Sequence, residues 1–328
     1  MAVRDLFDKR ILFLTGKGGV GKTTVATALA FAARDMGKNV ILIEVDESPT
    51  TRYIFSREIP VYKEVAVEER FTILTLDPQK ALEEYVGLEL KVQMAAKMIL
   101  NNRIFQYFMQ AAPGWRELVT VGKIWYVNQQ TTGRGHAKKP KYDMIIVDAP
   151  ATGHGLSFLK VPSVFLSIIK FGRMQGQTMD LQRMLTDEAQ TAIGIVTLPE
   201  EMPVNEASTL FKAATESLAM HVGALFINGV HPEPFSDPEV AQIERLTSDQ
   251  AAMETLAASF PDQGRGLFFA ADDRSARAAM SRHYMKLAME KMPVSPVVIA
   301  HQPMGRVDLP GVKEMARIIA AQAQEARP

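Results

Sequence analysis

The run GKGGVGKTT, Gly16–Thr24, constrains this chain more than any other segment. Gly16, four residues, then Gly21, Lys22 and Thr23 fit the pattern G-x-x-x-x-G-K-[ST]. The apolar run ILFLT precedes it, and the Ala-rich KTTVATALAFAARDMGK follows it and reaches a helix-stopping glycine at Gly37. Strand, glycine loop and helix is the order in which the motif has physical meaning. Gly16, Gly18, Gly19 and Gly21 let the backbone wind tightly enough to aim N–H groups at phosphate oxygens. The start of the next helix adds a favourable dipole. Lys22 is placed to reach the β and γ phosphates, and the Thr23 hydroxyl to meet a magnesium ion that bridges them. Val20 and Thr24 complete the cradle.

Apolar runs of strand length recur along the chain: ILFLT, NVILIEV, FTILTL, DMIIVDA, AIGIVTL, ALFING and PVVIA. Such runs suit strands covered on both faces. Alternating with helical patterns, they predict an α/β fold, a mostly parallel doubly wound sheet of the P-loop NTPase type, with ligands beyond the carboxyl ends of its strands. Residues 1–328 read as one such domain, with a helical subdomain inserted at about 78–140 and 155–187. Asp148 ends the strand DMIIV, so its carboxylate should emerge beside the phosphate loop and hold magnesium through water. The following APATGHG reads as a switch able to sense the γ phosphate. Its histidine, His154, reads as a loop residue satisfied by local hydrogen bonds, since phosphoryl transfer needs no such base.

Composition excludes several functions. Cysteine is absent, so disulfides, thiolate zinc sites, iron–sulfur clusters and cysteine nucleophiles are excluded. Thirty-seven basic residues balance thirty-seven acidic ones, which leaves no global pull toward nucleic acid or an anionic membrane. The basic run RGHAKKPK reads as a solvated loop, and no nucleic-acid partner is expected. The N-terminus MAVRDLFDKR lacks the pattern of a secretory signal, so a cytoplasmic location is expected. The apolar stretch GLSFLKVPSVFLSIIKF contains Lys160 and Pro162 and is too short for a membrane span.

Lys17 is a second lysine inside the glycine loop, one the cradle itself does not need. KGGVGKT resembles the deviant Walker A loop of partition ATPases, nitrogenase iron proteins and arsenical-pump ATPases. In that class the early lysine crosses a dimer interface to the partner's nucleotide, which implies a homodimer with ATP. DAPATGHGLSFL is similar to the switch of the arsenical-pump-driving ATPase family, which includes the ATPase that delivers tail-anchored membrane proteins. AAPGWRELVTVGKI resembles that family's PG-x-x-E helix, and TLPEEMPVNEA its strand-ending PE followed by a helix bearing Glu206. The resemblance implies an ATPase that uses ATP and Mg2+. It gives Lys17 and Lys22 catalytic roles and makes Asn228 and Pro303 adenine contacts. Asp46, just after NVILIEV, becomes the residue that positions the attacking water. The chain departs from the family here, because Asp46 is followed by ESPTTRYIF instead of a PAH run. Glu44 is the other contender, since strand alternation puts it on the same side as Asp46.

The load on such an ATPase is less legible. Met94, Met98, Phe105, Phe108, Met109 and Ala112 recur near helical spacing, and the second insertion adds Phe165, Ile168, Ile169, Met174, Met179 and Met184. Flexible thioethers suit a groove for varied apolar helices, and equally an ordinary core. Three readings follow: an ATPase that binds hydrophobic client helices, a motor for a membrane anion transporter, or a slow nucleotide-gated scaffold.

Overall fold

The computed structural model describes residues 4–45, 50–90, 102–103, 114–133, 135–150, 156–260, 264–302 and 308–325. Each of the seven apolar runs contains a strand: β1 (Ile11–Thr15), β2 (Val40–Glu44), β4 (Phe71–Thr75), β7 (Met144–Asp148), β8 (Thr191–Thr197), β9 (Val222–Val230) and β10 (Pro296–Ala300). With the edge strand β3 (Val65–Glu68) they form one eight-stranded sheet, ordered β10-β9-β8-β1-β7-β2-β4-β3. Every pairing is parallel except that of β3 with β4. The stretch TTGRGHAKKPK, read as an exposed connection, carries a small antiparallel pair, β5 (Thr131–Thr132) with β6 (Lys139–Pro140).

The sheet is buried on both faces, which is why its strands are continuously apolar instead of alternating. On one face α2 (Lys22–Asp35) and α12 (Leu309–Glu325) pack against Leu12, Leu14, Leu42 and Ile146. α2 ends with a turn through Gly37, whose φ of 88° is easily reached only by glycine. Ile11, Phe13, Ile43 and Val147 point to the other face. There α5 (Trp115–Gln129), α6 (Ser157–Ile168), α7 (Arg173–Thr186), α8 (Glu201–Lys212) and α11 (Gly264–Lys291) supply Val121, Leu159, Leu181, Val204 and Ala288 to a single core. α4 (Pro78–Leu90) lies against α5. The remaining helices are α1 (Asp5–Asp8), α3 (Thr51–Ile54), α9 (Asp237–Ser248) and α10 (Gln250–Ser259).

β1 sits at the topological switch. It pairs with β7 on one side and β8 on the other, while the chain leaves β1 for β2, one strand beyond β7. Open α/β sheets bind ligands in the crevice outside the carboxyl end of such a strand. α6 runs through Pro162, and among the described residues no helix is long and apolar enough to cross a membrane.

Candidate active site

Sterics select the glycines of the loop that leaves β1. A Cβ on Gly16 would lie 2.2 Å from the Val196 carbonyl oxygen of β8, closer than any real contact. Gly21 has a φ of 88°, and a Cβ there would lie 2.4 Å from Asn228 Nδ2. That Nδ2 donates to the Val20 carbonyl at 2.9 Å. The loop is therefore braced by β8 and β9 as well as by its own strand. Gly18 and Gly19 are exposed. No side chain caps α2 at Gly21, so the first N–H groups of that helix face the loop without a side-chain acceptor.

Lys22 is buried and its ammonium donates to the Lys17 carbonyl at 3.0 Å, curled back into the loop. The Thr23 hydroxyl donates to Asp148 Oδ2 at 2.5 Å. Sheet register makes that contact: Asp148 ends β7 opposite Leu14 of β1, two residues before the loop starts at Gly16. Thr24 follows, half-buried. Lys17 points to α8, where its ammonium lies 2.8 Å from Glu206 Oε1, both side chains well exposed. An exposed pair of this kind contributes about 0–1 kcal/mol, so Lys17 is easily released to another anion.

Glu44, in register with Asp148 on the neighbouring strand, is 1% exposed and accepts three hydrogen bonds. Asp46, His154 and Pro303 lie outside the described residues, as do Met94, Met98, Phe105, Phe108, Met109 and Ala112. Beyond the ends of β9 and β10, His231 and His301 stack with ring centroids 4.4 Å apart. Burial lowers the pKa of His231, and His301 and Arg277 lower it further against the opposing pull of Asp273 and Glu200.

Among the described residues no group of three or more His, Asp or Glu side chains is placed to hold a metal ion. A threonine hydroxyl beside one carboxylate is nevertheless a donor set that suits magnesium. That ion keeps several waters and takes the rest of its shell from phosphates. The residues present therefore fit MgATP, with Gly16–Thr24 as the phosphate cradle and Thr23 and Asp148 on the metal side.

A parallel sheet with a glycine loop at its switch strand, an invaginated lysine and a Thr–Asp contact defines a P-loop nucleotide-binding protein. The family model described as "Anion-transporting ATPase" matches residues 9–185 and 168–264, and the chain belongs to that family of ATPases. It is 30% identical over 263 residues to ATPase BagA of Mycobacterium tuberculosis, covering 77% of this chain and 76% of that one. It is 25% identical over 263 residues to an arsenical pump-driving ATPase of Escherichia coli, covering 75% of this chain but 44% of the relative. A relative of the same name from Acidiphilium multivorum is 24% identical over 266 residues, again with 44% of its length covered.

Sequence reasoning missed three features at this edge. These are the brace from Asn228 to Val20, the close approach of Gly16 to β8, and the partners of Glu44. The first two, and the Thr75 contact of Glu44, depend on residues distant in sequence that strand order brings together, and the Thr51 contact depends on the fold of α3.

Proposed function

We propose that this chain hydrolyses MgATP as a nucleotide-gated homodimer and couples the cycle to binding hydrophobic segments of membrane proteins. The Thr23–Asp148 contact beside a loop whose Gly16 leaves no room for a side chain against β8 is the observation that carries the nucleotide half of this reading. Lys22 exchanges the Lys17 carbonyl for phosphate oxygen. Magnesium, when bound, neutralises charge on the β and γ phosphates. Asp46 orients the attacking water, and Asn228 and Pro303 flank the adenine. Lys17 leaves Glu206 and turns to the nucleotide of the partner subunit.

The client half is supported by α6, α7 and the turn between them, where Val164, Ile168, Phe171 and Met174 are exposed, Phe171 at 85%. An apolar run left open on helices that follow the Asp148 strand in sequence suits a nucleotide-controlled groove. A second reading, an energising subunit for a membrane anion transporter, is favoured by the arsenical-pump names of two relatives. It expects turnover to rise with a small oxyanion and not with an apolar helical peptide.

The test is oligomeric mass with and without a nonhydrolysable ATP analogue, beside turnover of the wild type and Lys17→Ala. The expected result is an analogue-dependent dimer and a loss of turnover in the variant of roughly 100-fold or more. A wild type whose mass ignores the analogue, with normal turnover in Lys17→Ala, overturns the dimer clamp.

A further inference from the structure

α4, α5 and α7 enclose a cavity of about 330 Å3 lined by Leu88, Leu118, Trp125, Met174 and Leu181 among others. Leu181 is buried and belongs to its floor, while Leu88 and Met174 are exposed and stand at its mouth. None of its lining residues belongs to the phosphate loop. Gly122, inside α5, lines it as well. Glycine in a helix interior loses stability relative to alanine, and here the backbone does not ask for it, since the helix runs through Gly122 without a left-handed turn. A Cβ at this position would meet no atom of the described residues within 4 Å. Neither a turn nor a close contact accounts for the missing side chain, and its effect is to widen the cavity.

The charged groups of the lining are matched with one another. Lys123 Nζ lies 2.6 Å from Glu84 Oε2 and sits over the rings of Tyr62 and Tyr126. Arg173 Nη1 lies 3.2 Å from Glu89 Oε2, and Glu89 Oε1 accepts from Gln177 Nε2 at 2.9 Å. The Tyr85 hydroxyl donates to Gln177 Oε1 at 2.9 Å, and the Thr178 hydroxyl to the Met174 carbonyl at 2.8 Å. Burial, and then the Glu89 carboxylate, push the Tyr85 phenol above its ordinary range, so it stays neutral. A charged ligand would lose its hydration and find each opposite charge already engaged. Having given its proton to Gln177, the Tyr85 oxygen still has lone pairs with which to accept one hydrogen bond.

From these walls we infer that the cavity binds an uncharged aromatic molecule of one or two rings that carries a hydrogen-bond donor. Trp125 and Tyr85 supply ring surface for it. The volume lies at the lower end of what small-molecule sites have, about 300–1,000 Å3. It excludes a client helix, because a helix about 10 Å across fills about 420 Å3 in one turn and needs about 30 Å of length to span a membrane. The site is thus distinct from the outer apolar run, with which it shares Met174 but not Phe171. It does not depend on the ATPase reading.

The experiment titrates the full chain with phenylnaphthylamine, a neutral fluorescent two-aryl amine, and with its sulfonated analogue anilinonaphthalene sulfonate, and records melting temperatures. The expected result is one saturable amine site per chain, roughly 10-fold or more tighter than the sulfonate. Gly122→Leu fills the cavity and weakens the amine roughly 10-fold or more, while Gly122→Ala stays within about threefold of the wild type and melts no lower. Val119→Trp narrows the same cavity from another position on α5 and gives the same loss, which keeps the test decisive if Gly122→Leu folds poorly. Phe171→Ser leaves the amine affinity unchanged. The inference is overturned if the sulfonate binds as tightly as the amine, if neither cavity-filling variant weakens the amine, or if the loss appears in Phe171→Ser instead. Displacement of the amine by an apolar helical peptide overturns it too, since the cavity would then be part of a client groove.

Discussion

The carboxyl edge around β1 and the helical layer formed by α6 and α7 are built on opposite terms. At the edge, several polar groups around the loop are already paired. Thr23 meets Asp148, Lys22 folds onto the Lys17 carbonyl, and Asn228 braces Val20, so groups from β7, β9 and α2 interlock around one loop. In the helical layer the inward face is core, with Leu159, Leu181 and Met184 buried, while Val164, Ile168, Phe171 and Met174 are left to solvent. Preorganisation at the edge leaves the two lysines as the groups that change partners when a phosphate arrives, while the backbone around them stays braced. Apolar exposure costs nothing in packing and matters only to whatever covers it. One region is shaped by what it must hold still, and the other by what it leaves open.

The largest effect expected is at Gly21. Gly21→Ala forces a side chain onto Asn228 at a backbone angle of 88°, and should cost about 1–3 kcal/mol in denaturant unfolding and abolish nucleotide binding. Retained ADP affinity in that variant breaks the claim that the edge is sterically exact. Asp148→Asn keeps an acceptor for Thr23 but loses the charge, so the apparent magnesium requirement of turnover should rise about 10- to 100-fold with little change in stability. In the helical layer the expected pattern is reversed. Phe171→Ser should change stability by no more than about 0.5 kcal/mol while weakening the binding of an apolar helical peptide several-fold. By contrast, truncating the buried Phe13 to alanine should cost about 3–5 kcal/mol. If Phe171→Ser is as destabilising as the core truncation, the layer is packed and not open.

The smallest effect expected concerns pH. Burial, with His301 and Arg277 nearby, holds the His231 ring below its ordinary value of 6.5 in the folded protein. The unfolded chain therefore takes up the proton first. This residue's contribution to stability is complete above pH 6.5 and declines as pH falls below it. Melting temperatures measured from pH 7.5 down to 5 should fall less steeply in about the lower half of that range for His231→Phe than for the wild type.

The legible parts of this molecule were those set by local physics. Seven apolar runs marked seven parallel strands because burial on both faces leaves no polar positions to blur the signal. β3 escaped because VAVE is short, half-exposed and antiparallel at the sheet edge, so neither length nor hydropathy sets it apart. The P-loop and Asp148 could be read from spacing and strand context. The two partners of Glu44 could not, since Thr75 reaches it through the pairing of β2 with β4 and Thr51 through the fold of α3. Lys17 was legible as a lysine the cradle does not need. Its ion pair with Glu206 depends on where β8 delivers α8, which no local pattern encodes.

The most direct test of the account is specific ATPase activity as a function of protein concentration at saturating MgATP, for the wild type and for Lys17→Ala. If two subunits close on the nucleotide, activity per molecule rises with wild-type concentration until dimers predominate, and Lys17→Ala stays low throughout. Activity per molecule that is flat with concentration, and equal in the two proteins, would contradict the clamp.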